Sequence, residues 1–478
     1  NVAETLSTSC PKTPDSMCRN AIYLSLARLL IVPVFVLASS LATGQNVTIK
    51  GNTNMPKTLV RLMSSDELLS GVQYVVAETV TDTDGGFLLK ADVDEVAEAQ
   101  LAIGLERTTI VVAPNAYYDI TITVKSNKNI PYFEREQPSV MINNADDGGL
   151  SAQLMTAETT VNNFFFRCFD RLYRSRNLSY IDTLQNDIDK YVGEVKFKYV
   201  DDYIKYRKAA AVMIVGEKKA IAQYFDNQEV LYKQPSYINV FSEIFSGYFN
   251  NRSFKPQEFN DAFYSGYDAF VRYLANDDLL KRNPRLAEVV VVYEFKRLYN
   301  ENQYDKKRVI DYLNTMGACS EYKENRILAL NMSQKLTELA WDSEAPSFTL
   351  RDSDGKAVGL DDFADKMVLL QFVDNLSSVV VNDMSYLNEM CRQWNDNVSV
   401  ITIATSDVFD EMVEHFEEKS YGWTLLDLGD DILLFEKYRV RVTPSYVIIK
   451  PRGRVGMAPA PSPENNLEFH LRRIHKYL

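Results

Sequence analysis

The sequence predicts a multidomain protein: an N-terminal β-sandwich-like module, a central all-α domain and a C-terminal α/β domain. Two observations carry that expectation. The chain has 478 residues, more than one hydrophobic core ordinarily serves, in a composition (46% hydrophobic, 24% charged) typical of soluble globular proteins. Its hydrophobic pattern also changes character twice. Short alternating runs give way to helical stripes near residue 150, and alternating strands and helices begin near residue 345.

Ahead of the first module, residues 1–45 read as an upstream extension and a signal peptide. Residues 29–38 are apolar, Arg19 and Arg28 precede them, and Ser39, Ser40, Ala42 and Gly44 follow. A basic stretch, a short apolar stretch and a small-residue exit are the parts of a secretory signal. The run is shorter than the roughly 20 apolar residues that span a bilayer. The reading places the true start at Met17 and cleavage near Gly44–Gln45, with an uncleaved N-terminal membrane anchor as the alternative. Cleavage leaves no membrane span.

Residues 46–125 read as about seven strands. Alternating or β-rich runs fall at 47–50, 58–63, 74–80, 87–90, 99–103, 109–112 and 118–124. Gly85-Gly86 and Pro114-Asn115 supply turn signals between them. From 150 to 340 the spacing is helical. Phe259, Phe263, Tyr267, Phe270, Val271 and Leu274 fall on one face of a helix opened by Pro256, with Asp261, Asp268 and Arg272 elsewhere. The many rings of this region fall in stripes, which predicts core packing rather than a ligand platform.

The third domain, 345–478, opens with Ala345, Pro346, Phe348 and Leu350, then Asp352, Asp354, Gly355 and Lys356, then Leu360 and Phe363. The buried-strand pattern 367–372 leads through a turn at Asp374 into a helix containing Ser377, Ser378, Val379 and Val380. A second core strand is expected at 398–404. Thr443-Pro444 precedes a third, Pro451 and Gly453 mark a turn, and a closing helix covers 464–477. This arrangement resembles the TlpA/ResA and peroxiredoxin-type thioredoxin-like proteins over about 135 residues. The N-terminal β-module resembles the β-domain that precedes the redox domain in secreted thioredoxin-like proteins of Gram-negative bacteria.

The resemblance implies a cis-proline at Pro444 and a Cys-x-x-Cys motif at the strand-to-helix turn. There the nucleophilic cysteine falls on Ser377 and the resolving one on Val380. The tryptophan that usually precedes the motif falls on Leu376, and the intervening Gly-Pro type pair on Ser378-Val379. Glycines near the cis-proline fall on Arg439 and Val442. The peroxidatic Thr-x-x-Cys pattern of peroxiredoxins has no counterpart. A hydroxyl cannot exchange disulfides and an isopropyl group cannot resolve one, because the reacting species is a thiolate.

The other chemistry-bearing residues do not fill that gap. The cysteines are Cys10, Cys18, Cys168, Cys319 and Cys391, no two of them separated by two residues. The last three are expected as buried free thiols. Cys391 shares a helical stripe with Met384, Leu387 and Trp394, which reads as core. His415, His470 and His475 make no metal set with the cysteines, so no metal and no cofactor is expected. Asp374 and Asp383 flank the turn, and Asp383 is expected as a solvated helix cap. A net charge of -13 argues against nucleic acid and anionic membranes as partners.

Two function classes follow. The first is an exported, catalytically degenerate thioredoxin-like protein acting as a binding or scaffold module in the bacterial periplasm or envelope. Its protein or peptide partner would dock in strand fashion along an edge formed by Ser377, Ser378, Val379, Thr443 and Pro444. The alternative is a thiol-disulfide oxidoreductase or peroxidase with unconventional residual chemistry.

Overall fold

The computed structural model describes residues 45–125, 130–216, 218–251, 254–301, 303–394 and 397–476. The predicted leader, with Met17, Cys10 and Cys18, lies outside them. Within them no helix is long and apolar enough to cross a membrane.

The N-terminal region is β-rich. Its strands are β1 (Val47–Thr53), β2 (Leu59–Ser64), β3 (Tyr74–Val80), β4 (Gly86–Ala91), β5 (Ala97–Ile103), β6 (Glu106–Val112), β7 (Tyr117–Thr123) and β8 (Ser139–Asp146). They form two four-stranded sheets, in the orders β4-β1-β7-β8 and β3-β2-β5-β6. The period-2 pattern puts Val47, Ile49, Tyr118 and Ile120 of the first sheet in one apolar cluster with Val60, Leu62, Leu101 and Ile110 of the second. Strand β8 was not foreseen. It pairs antiparallel with β7 at the sheet edge and is exposed on both faces, so no alternation marks it.

The central region is helical: α1 (Leu150–Ser175), α2 (Ser179–Tyr191), α3 (Lys198–Val215), α4 (Lys218–Ala222), α5 (Pro235–Phe245), α6 (Pro256–Ser265), α7 (Tyr267–Leu274), α8 (Asp278–Arg282), α9 (Pro284–Asn300), α10 (Lys306–Cys319) and α11 (Lys323–Thr337). The hydrophobic core does not divide where the secondary structure changes. Leu154, Val161 and Phe164 of α1, Leu184 of α2 and Ile204 of α3 pack into the same cluster as the sheets. The later helices enclose an aromatic core of their own, in which Phe259, Phe263, Phe270, Phe295 and Tyr312 meet at centroid separations of 5.4 to 6.3 Å, mostly edge to face. The single helix expected through 256–274 is broken at Gly266, which takes φ 112 and ψ 167, a conformation open mainly to glycine. The break turns the stripe without exposing it, since Phe259, Phe263, Phe270 and Leu274 all stay buried.

The C-terminal region is α/β. It comprises β9 (Thr349–Arg351), β10 (Ala357–Gly359), β11 (Met367–Val373), α12 (Ser378–Trp394), β12 (Val398–Ala404), α13 (Ser406–Lys419), β13 (Thr424–Asp427), α14 (Ile432–Lys437), β14 (Ser445–Lys450), β15 (Arg454–Ala460) and α15 (Leu467–His475). The seven-stranded sheet runs β10-β9-β13-β12-β11-β14-β15. Strand β11 is an interior strand, parallel to β12 and antiparallel to β14, and every one of its residues is buried. That explains its unbroken apolar run: a strand covered on both faces has no solvent side to mark with polar residues.

Candidate functional site

The site is the corner where β11 ends. Pairing of Phe372 with Ser445 brings Thr443 and Pro444 alongside the turn that starts at Asp374. The Thr443–Pro444 bond is cis. The turn is closed locally: the Asn375 side chain accepts the Ser377 N–H at 2.9 Å, and the Ser377 carbonyl accepts the Val381 N–H at 3.0 Å. Ser377 thus stands at the N-terminal boundary of α12, where orphan amide groups need partners. Ser377, Ser378 and Val379 are exposed, Val380 is fully buried, and Thr443 and Pro444 are half-buried. Arg439, where the resemblance expects glycine, takes φ 53, so the left-handed backbone of that position is kept without the residue that adopts it at least cost.

Asp374 is the centre of this corner. Its carboxylate is fully buried. It accepts the Tyr132 backbone N–H at 2.5 Å, the Asn375 side-chain amide at 2.6 Å and the Thr443 hydroxyl. Tyr132 belongs to the β7–β8 connection of the N-terminal region, so this corner holds a loop of the chain itself. That loop is clamped further. The Tyr132 hydroxyl donates to the Leu105 carbonyl at 2.7 Å, and its ring and that of Phe133 each lie 5.6 Å from Phe435 on α14. Burial raises the Tyr132 phenol to about 12. Arg135 reaches Glu106 at 3.2 Å and Asp407, at the start of α13, at 2.5 Å. Arg107 pairs with Glu436 on α14. A cavity of about 220 Å³ lies between the two regions, lined by Arg107, Tyr132, Phe133, Phe435 and Arg441 among others.

A second polar group lies beneath the turn. Asp383 is not a solvated cap: it is 1% exposed and accepts the Tyr446 hydroxyl at 2.6 Å. Its position three residues after Val380 on α12 turns it inward toward β14. Gln371 donates to Tyr446 at 3.2 Å and accepts from Thr402 at 2.8 Å, and the Trp423 indole donates to Thr402 at 3.0 Å. Burial pushes the Asp383 carboxyl up, against the Tyr446 hydrogen bond that lowers it. Satisfied buried networks of this kind fix a unique core arrangement. Sequence reading missed Gln371 and Thr402 because each is one polar residue inside an apolar strand.

The thiols stand elsewhere. Cys391 is half-buried against Leu387, Met390 and Trp394, on the stripe expected of it, and burial raises its thiol. It lies eleven residues beyond Val380, about 16 Å along the helix axis. Cys168 is buried in α1, whereas Cys319 is only half-buried, as is Cys391, against the expectation of full burial. Among the described residues no group of three His, Cys, Asp or Glu side chains is placed to hold a metal ion.

Residues 342–458 match the model of the AhpC/TSA family. The thiol-disulfide oxidoreductases ResA of Bacillus thuringiensis subsp. konkukian and of Bacillus cereus are each 30% identical to this chain over 115 residues. Over this stretch the C-terminal α/β domain is similar to thioredoxin-like proteins of the TlpA/ResA type. The matched stretch is 23% of this chain and 65% of each ResA, so the chain spans just under two thirds of those relatives. Among solved structures, the thioredoxin domain of a thiol-disulfide oxidoreductase from Bacteroides vulgatus is 23% identical, with 28% of this chain and 99% of that one covered and a TM-score of 0.26. A thioredoxin-like protein from Bacteroides caccae is 15% identical, with 49% and 93% covered and a TM-score of 0.29. In the thioredoxin-like domain the strand-to-helix turn thus carries Ser377 and Val380, and the polar group it buries is Asp374.

Proposed function

We propose that this chain is an exported, catalytically degenerate thioredoxin-like protein of the bacterial envelope, in which the thioredoxin-like domain binds rather than oxidises or reduces. The observation that carries this reading is the use made of Asp374. At a redox corner a buried acid tunes a thiol. Here the acid is saturated by three donors, one of them the backbone of the β7–β8 loop, and the neighbouring side chains are a hydroxyl and an isopropyl group. The docking function is therefore turned first on the protein's own β-rich module, which supports a sandwich-like module held rigidly on its partner domain. The exposed Ser377, Ser378 and Val379, with Val442 beside Thr443 and Pro444, remain as an edge for an extended peptide.

The second reading, a thiol-disulfide oxidoreductase with unconventional chemistry, draws on the ResA likeness and has Cys391 as its candidate thiol in this domain. Two observations weigh against it. Cys391 lies three helical turns from the corner, and its thiol is shifted up, away from the low values that make an attacking thiolate at neutral pH. Insulin reduction in the presence of dithiothreitol separates the readings. The expected result is the rate of dithiothreitol alone, unchanged in Cys391→Ser. Turnover above that rate, lost in Cys391→Ser, would establish the oxidoreductase.

A further inference from the structure

Helix α1 is apolar on two sides. One side, with Leu154, Ala157, Val161, Phe164, Cys168 and Leu172, packs on the β-rich module. The other faces solvent: Met155 is 66% exposed, Phe166 92%, Phe169 53% and Tyr173 65%. With the exposed Thr159 and Asn162 these residues fall at 155, 159, 162, 166, 169 and 173, alternating steps of four and three. That is the spacing of a heptad seam, which accepts another helix carrying the same repeat. It is not a requirement of the fold, since the helix buries its opposite face. An exposed phenylalanine and tyrosine stacked at a 6.5 Å centroid separation on a helix surface form a contiguous apolar patch, not a scattered residue.

We propose that this seam is the self-association surface of the protein, and that two copies pair through α1 in antiparallel fashion. Two features select a second copy in that orientation, and a third sets the strength of the pair. A two-fold axis at position 164 sets Phe166 against Asn162, Phe169 against Thr159 and Tyr173 against Met155 of the other copy, so each large ring meets a smaller side chain. A parallel pair would stack ring on ring. The ends differ in charge: Arg171 and Arg176 lie toward the C-terminal end, where Arg167 and Arg174 are already paired with Asp187 and Asp170, while Asp146, Asp147 and Glu194 lie near the N-terminal end, where the Gln153 side chain bonds the Glu194 carbonyl at 2.8 Å. Antiparallel pairing brings basic end to acidic end and also aligns the helix dipoles favourably. Finally, large apolar side chains bury roughly 150–250 Å² each, so these four offer on the order of 500 Å² per copy at their observed exposure. That is near the lower limit of about 1,000 Å² in total for a specific interface, and it predicts a reversible dimer of micromolar strength.

Sedimentation of the purified chain from about 1 to 200 μM tests this. The wild type is expected to pass from monomer to dimer, and Phe166→Glu, a change at an almost fully exposed position, to weaken the dimer at least tenfold. Register is read by oxidising Thr159→Cys and Phe169→Cys variants. An equimolar mixture is expected to yield a crosslinked dimer that neither variant yields alone. A wild type that stays monomeric throughout, including one that instead captures a foreign helix or a vesicle, would overturn the proposal. So would a dimer indifferent to Phe166→Glu, or crosslinking of either single variant with itself.

Discussion

Arg135→Ala is expected to destabilise the folded chain by about 3 kcal/mol, the range for removing one partner of a buried ion pair after allowance for partial exposure. The Arg135 side chain is 7% exposed and lies between Glu106 and Asp407, so its removal leaves two carboxylates in a half-dry space with no cation between them. The pH dependence follows from Glu106. Burial already holds its carboxyl above the ordinary glutamate value, with Arg135 lowering it and Asp407 raising it. A carboxyl raised in the folded state keeps more protons there than in the unfolded chain, so its contribution is most favourable at low pH and is lost as pH rises through the folded value. Without Arg135 that value rises further. The deficit of Arg135→Ala is therefore expected to be largest near pH 7 and to shrink toward pH 4. Urea unfolding at the two pH values measures it, and a pH-independent deficit would contradict the charge-bridging role.

Asp374→Ala comes next, with an expected loss of about 2–4 kcal/mol, because it orphans the Tyr132 N–H and the Thr443 hydroxyl in a buried setting. Its local signature matters more than its size. Hydrogen exchange across 130–136 is expected to quicken at least tenfold, while β11 and β12 keep their protection. Arg135 and Asp374 grip the same loop, so the double variant is expected to lose less than the two single losses added. Strict additivity would mean that the loop is held by independent anchors.

What the sequence disclosed, and what it hid, follows physical lines. Strands β1, β2 and β4 to β7 are legible because one face of each is buried and the alternation shows, whereas β3, with no buried residue, is legible only from its β-branched and aromatic composition. Strand β8 was not, since an edge strand exposed on both faces has no pattern to betray it. The aromatic stripe through 256–274 was visible, but the break at Gly266 was not, as helical spacing runs through it. At the corner, the association of Ser377 with Thr443 and Pro444 rests on the family resemblance, since no residue pattern in either segment points to the other. The role of Asp374 was hidden because its decisive donor is a backbone N–H 242 residues away, which no side-chain motif announces. Asp383 was misread as a cap because its partner, Tyr446, lies on a strand that only the folded sheet brings beneath it.

The central claim is that the thioredoxin-like domain has no activated sulfur. Incubation of the native chain with glutathione disulfide at pH 7, followed by peptide mapping, tests this most directly. The account predicts that Cys391 remains unmodified until the protein is unfolded. Rapid formation of a mixed disulfide at Cys391 in the folded protein would contradict it.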